Sequence, residues 1–373
     1  MSLLGMRRRT LVVSLSYLGS VALYVFIFIV SACVLRVRVR NRTLQIVLAS
    51  LLPFLISAFR YNVGWDYGSY VLGYELFDPG ISIFEIFSGY QFGDSIGLNL
   101  VLLITKSLNS QFLYLGITSA LCFVPAFLYL KKEWDTREYF IPLAIFVTGF
   151  SLFFTGLSAI KQGIAISFCL YSLTYVFHRK PLKFLLFVAI AFLFHSSALI
   201  FLPIYLCWDH KGRLAGWKQF CAIGGAFVFL IFFTDIISTF GGERFEDYAT
   251  SVVRTNNYMF YLMLFWLVIF LVCRRKLINL DARNELMIVL YAIAVIFMLL
   301  GFQNAFVKRI ASYFDVVQII LLPQMVFVFT KRSRRLAVML LGVYIVLYCI
   351  LQNSGAAGSM APIPYAFLFG GLE

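Results

Sequence analysis

Apolar runs long enough to cross a bilayer core of ~30 Å recur along almost the whole chain, and that repetition rules out most folds. They fall near 10–35, 43–59, 111–130, 139–156, 159–177, 219–238, 257–272, 284–302, 311–329 and 336–352. Unpaired backbone groups are costly in hydrocarbon, so the spans are expected to be helices. With 62% hydrophobic and 13% charged residues over 373 positions, a soluble domain could not hide the apolar surface. The fold class is therefore an all-α polytopic integral membrane protein of about 10 transmembrane helices, forming a single transmembrane domain over 1–373. The first run, Thr10 to Leu35, is too long for a signal-peptide core and lacks a small-residue cleavage site, which predicts a retained span.

A net charge of +14 invites a nucleic-acid reading, but its placement argues for none. The basic residues cluster between apolar runs, in "RVRVRNR", "KKEWDTR", "HRKPLK", "CRRK" and "KRSRR". That is the positive-inside pattern of membrane topology. It also decides how the stretch 184–207, "FLLFVAIAFLFHSSALIFLPIYLC", is folded. As a hairpin of two short helices it lets loops 36–42, 131–138, 178–183, 209–218, 273–283 and 331–335 share one face, with 21 of the 31 Lys and Arg. A single crossing splits them 17 to 14 at best. The hairpin is preferred, the basic face is cytoplasmic, and the apex at His195 points outward. Only the N-terminal "RRR" runs against this scheme.

The external face then holds a loop region with amphipathic segments at 60–110 and a second loop at 241–256. Among its residues, Arg60 ends an apolar run and is followed at once by Gly64, Trp65, Asp66, Tyr67 and Tyr70. Interfacial aromatics and a snorkelling arginine account for such a span end on their own. Lys161, in "GLSAIKQGIAISF", opposes the dipole at a helix start, which an anionic ligand would relieve and snorkelling to water would also explain. His195 is either an imidazole base or a buried ring held by Ser196 or Ser197. Arg309 and Tyr313 share an i, i+4 spacing with Arg244 and Tyr248, as an interfacial helix face also would. The seven cysteines lie in or beside apolar segments with no paired motif, and no metal-binding pattern appears, so neither metal nor other cofactor is expected.

Four stretches in this order resemble the EpsG-like family of bacterial polysaccharide polymerases, related in role to the Wzy type. The family's "FR-x-x-x-G-x-D-Y-x-x-Y" is matched by Arg60, Gly64, Asp66, Tyr67 and Tyr70. Its "G-I-R-Q-x-I-A" is matched by "AIKQGIA", with Lys161 in place of Arg followed by Gln162. Its "F-H-x-S-A-L-I-x-L-P" is matched by "FHSSALIFLP", and its "K-R-I-x-x-Y-F" by 308–314. The resemblance covers roughly 40 to 365. It implies a metal-independent glycosyltransferase in the bacterial inner membrane, GT-C-like in architecture, with its site facing the periplasm. The growing glycan would leave undecaprenyl diphosphate and join a sugar hydroxyl of another lipid-linked repeat unit. Arg60, Lys161, Arg309 and Arg244 would bind diphosphate, and His195 or Asp66 would take the hydroxyl proton. Trp65, Tyr67, Tyr70, Gln162 and Tyr313 would contact sugar. Membrane lipid and a chain-length regulator protein are the further partners such a polymerase implies. The competing readings are an O-antigen-type ligase, a transporter of lipid-linked oligosaccharide and a non-enzymatic assembly partner. A transport path predicts charges across the midplane, whereas the cations here gather at one face.

Overall fold

The computed structural model describes residues 11–37, 40–88, 95–134, 140–209, 258–302, 305–353 and 362–369, with isolated positions between 212 and 225. Most of the expected span 219–238, the loop 241–256 and Arg244 lie outside the described residues. Short polar residues set the first helix starts. Ser16, Asn41, Ser95 and Ser110 each accept the amide three residues on. They open α1 (Tyr17–Arg36) and α2 (Arg42–Ala58), then, beyond α3 (Tyr67–Leu76) and α4 (Ile83–Ser88), α5 (Ile96–Ser107) and α6 (Gln111–Glu133). Next come α7 (Phe140–Thr148), a π-helical turn over Gly149–Phe153, α8 (Phe154–Ser158), α9 (Ile160–Phe177) and α10 (Pro181–Phe194). A 3₁₀ helix follows at Ser196–Cys207. The C-terminal part holds α11 (Tyr258–Val272), α12 (Arg274–Leu280), α13 (Asn284–Leu300), α14 (Ala305–Asp315), α15 (Gln318–Met325), a 3₁₀ turn at Val326–Val328 and α16 (Lys331–Asn353).

Helices α1, α6 and α9 are each long and apolar enough to cross a bilayer unaided. The expected straight span 311–329 is instead bent by 50° between α14 and α15, which together count as a fourth. Helix α6 lies at the centre, packed on α2 and α9, with α10 on the far side of α9. Small residues let these backbones approach. A Cβ on Gly156 would lie 2.8 Å from Cys122 Cβ, and one on Gly163 3.0 Å from its Sγ.

The stretch after Lys180 folds back on itself. Helix α10 and the 3₁₀ helix pack against each other, at ~21 Å and ~24 Å neither long enough to span. Arg179, just before α10, donates through Nη1 to the carbonyl of Tyr205 at 2.9 Å and to that of Trp208. Both ends of the hairpin are therefore at one end of the bundle. The loops grouped by charge meet there as well. Glu133 lies 3.2 Å from both His178 and Arg283, and Arg283 pairs with Asp281 at 2.7 Å and stacks 4.1 Å from the Trp134 ring. Lys131 reaches the carbonyl of Leu35 at 3.2 Å.

The opposite end carries a feature the hydropathy pattern hides. The first residues of the apolar run 10–35 are not helical: Leu11–Ser14 form β1, antiparallel to β2 (Ala366–Phe369), with Leu11 opposite Phe369. The chain at Phe59 to Tyr61 adds to the far edge of β2. Leu368 donates to Phe59 O at 2.8 Å and Tyr61 to Ala366 O at 2.9 Å. This ribbon pins the C-terminal segment beside the loop that follows α2.

Candidate functional site

The loop after α2 is placed by a close backbone contact. Gly64 has φ +109, and a Cβ there would sit 1.8 Å from the carbonyl oxygen of Leu157 at the end of α8. Only glycine fits that approach and that conformation. The next residue reinforces the contact: Trp65 donates its amide to Ser158 Oγ at 3.3 Å. Helix α9 then starts after Ala159 breaks the chain direction, and its Lys161 amide donates to the Tyr70 hydroxyl at 3.4 Å. The loop thus lies directly over the start of α9, with Asp66 above Lys161.

Two further segments converge on the same place. Gln162 donates through Nε2 to the carbonyl of Arg309 at 2.7 Å, which ties α9 to α14. His195 ends α10 in an extended conformation, φ −154 and ψ 120, at the turn of the hairpin. Its Nδ1 lies 2.6 Å from Ser197 Oγ, and Ser197 donates to the Tyr313 hydroxyl of α14 at 3.0 Å.

The electrostatics link all four segments. Lys161 and Arg309 both act on Asp66, and both act on His195. Asp66 occupies the position before α3 yet makes no capping bond. Partial loss of water around its carboxyl raises the pKa, against the pull of Arg309 and Lys161. Arg309, Asp66 and Trp65 are exposed and Lys161, Tyr70 and His195 half-buried, so the group is open to solvent at this end of the bundle. Two cations, one carboxylate and one imidazole at the rim of an apolar bundle suit an anionic substrate with a hydroxyl to deprotonate. Among the described residues, no group of three His, Cys, Asp or Glu is placed to hold a metal ion.

Four expected site residues are buried, Gln162 among them at 7% exposure with its Nε2 on the Arg309 carbonyl. Arg60 is fully buried beneath the loop. Its Nη1 donates to Ser119 Oγ of α6 at 3.0 Å, the Tyr67 ring lies 5.9 Å from its guanidinium carbon, and its Nε and Nη2 have no hydrogen-bond partner among the described residues. It lies beneath the loop rather than at the surface because its side chain turns back toward α6. Tyr67 is 5% exposed, with its hydroxyl on the Arg60 carbonyl, and Tyr313 is 0% exposed, so neither offers a face to a sugar. Trp65, at 50% exposure, does. Ser119, Ser158 and β2 were not singled out in the sequence, since isolated serines and a short apolar "AFLF" carry no signal there.

No curated protein and no solved structure matches the chain. A family model described as the EpsG family matches residues 43–367, a range that takes in the Gly64 loop, the start of α9, the hairpin and α14. The chain belongs to the EpsG family.

Proposed function

We propose that the protein is a polysaccharide polymerase that moves a growing glycan from a polyprenyl diphosphate to a hydroxyl of another lipid-linked repeat unit. What supports this reading is the convergence of Lys161, Arg309, Asp66 and His195, from four segments far apart in sequence, at one end of a membrane-embedded bundle. The acceptor oxygen bonds to the anomeric carbon of the donor while the bond from that carbon to the diphosphate oxygen breaks. The diphosphate leaves with the electron pair, its charge balanced by Lys161 and Arg309. The hydroxyl proton passes to His195, whose pKa burial, Lys161 and Arg309 hold down to about 4, so the ring is neutral at pH 7 and has a lone pair free to receive it. Asp66, coupled to both cations, holds them at this end of the bundle before the diphosphate arrives. Trp65 offers an exposed ring for sugar stacking. The end bearing Lys131, Arg179 and Arg283 faces the cytoplasm by the positive-inside rule, which puts Lys161, Arg309 and His195 on the outer side.

The test is direct. The purified protein in lipid, given one defined undecaprenyl-diphosphate-linked repeat unit and neither nucleotide nor added metal, is expected to yield a ladder of longer lipid-linked glycans. A single addition to a foreign acceptor would mark a ligase, and unchanged glycolipid would end the polymerase reading. Within that assay, Lys161→Ala and Arg309→Ala are each expected to slow chain growth ~10²-fold, the scale for losing one stabiliser of developing charge. Lys161→Arg retains the charge and is expected to stay within ~10-fold of the parent rate.

A further inference from the structure

We infer that Ser197 and Tyr313 are positioning residues that hold His195 as its Nδ1–H tautomer, leaving Nε2 as the proton acceptor. The inference rests on the proposed transfer for its consequence, but the tautomer is a property of the protein alone. Ser197 has one hydroxyl hydrogen, and it is directed at the Tyr313 hydroxyl at 3.0 Å. Its contact with His195 Nδ1 at 2.6 Å must then be one in which the serine oxygen accepts. The hydrogen between them belongs to the imidazole. A neutral ring protonated at Nδ1 has its lone pair at Nε2, the nitrogen that forms no bond to Ser197.

The parts are rigid enough to enforce this. Tyr313 is fully buried on α14, one turn after Arg309, so the helix that supplies a cation also orients the base. Ser197 lies two residues after the break at His195, and the extended backbone there turns the ring back over that serine. Phe194 is wedged against Gly97 of α5, where an added Cβ would lie 2.9 Å from its ring, so the hairpin apex has little room to shift. A neutral histidine side chain free in water prefers the opposite tautomer, hence the arrangement has a measurable consequence. A hydroxyl serving only to satisfy a buried ring would accept either tautomer.

Nitrogen-15 NMR of the full-length protein in lipid bilayers, labelled at histidine, reads the tautomer through the imidazole shifts. His195→Gln identifies the signals of His195 against those of His178 and His210. The parent is expected to show a protonated Nδ1 and an unprotonated Nε2. Tyr313→Phe removes the acceptor for the serine hydrogen, which then turns onto Nδ1, and the signals are expected to switch to the Nε2–H form. Ser197→Ala is expected to do the same and to slow chain growth ~10-fold through kcat with donor KM retained, while Ser197→Thr restores both readouts. An Nε2–H signal in the parent, or one unmoved by Tyr313→Phe, overturns the inference even if glycan ladders form. An Nδ1–H signal in a protein that extends no glycan leaves the tautomer standing and removes the polymerase reading instead.

Discussion

Gly64→Ala is expected to cost at least ~3 kcal/mol of stability and to abolish chain growth in whatever protein remains folded. Two penalties coincide at this position. At φ +109 an alanine is in a region that L residues seldom enter, and its methyl would meet the Leu157 carbonyl oxygen at 1.8 Å and the carbonyl carbon at 2.6 Å. Backbone atoms at the end of α8 cannot rotate away as a side chain would. The loop has to lift, and lifting it breaks the bond from Trp65 to Ser158 and draws Asp66 away from Lys161. Thermal unfolding in detergent and the glycan ladder read the two effects separately. Gly342→Ala, where a new Cβ meets nothing within 4 Å, serves as control and is expected to leave both unchanged. A Gly64→Ala protein as stable and active as its parent would mean that the loop does not rest on α8.

Much of the fold follows from one coordinate, depth in the bilayer, and depth is what hydropathy and charge report. Lysine and arginine counts separate a hairpin from a crossing at 184–207, and Arg179 on the Tyr205 and Trp208 carbonyls is the physical form of that hairpin. The meeting of Glu133, His178 and Arg283 is likewise what loops of one face must do. Lateral contacts leave no such trace. The β1–β2 ribbon joins segments about 350 residues apart, and its strands read as apolar run and tail. The 50° bend falls at Val316 and Val317, with neither glycine nor proline to announce it.

Arg60 is the instructive case. A motif marks it as a cation on the outer face, and only the surrounding atoms reveal that Ser119 and the Tyr67 ring enclose it. Burial pushes its pKa down, and two of its nitrogens have no hydrogen-bond partner among the described residues. A guanidinium held so is costly to the fold. It lies beneath the loop that carries Gly64, whereas Lys161 is half-buried and Arg309 exposed.

His195→Ala is expected to reduce the rate of chain growth by 10²- to 10⁴-fold, about what a positioned general base contributes. Donor affinity should survive, because Lys161 and Arg309 remain, so the loss should appear in kcat rather than KM. Folding should survive too. The ring is half-buried at a chain break, and its removal leaves the bond from Ser197 to Tyr313 intact, so the thermal midpoint should fall by no more than the equivalent of ~1 kcal/mol. The comparison that matters is with Asp66→Asn. Asp66 is coupled electrostatically to both Arg309 and Lys161, and neutralising it should disturb how they receive the diphosphate, raising donor KM with a smaller change in kcat. The two carboxylate and imidazole variants therefore separate base from cation-holder by which constant moves. If Asp66→Asn removed the chemical step while His195→Ala kept it, the proton would leave through the carboxylate, and the ring fixed by Ser197 would be serving the hairpin and not the reaction.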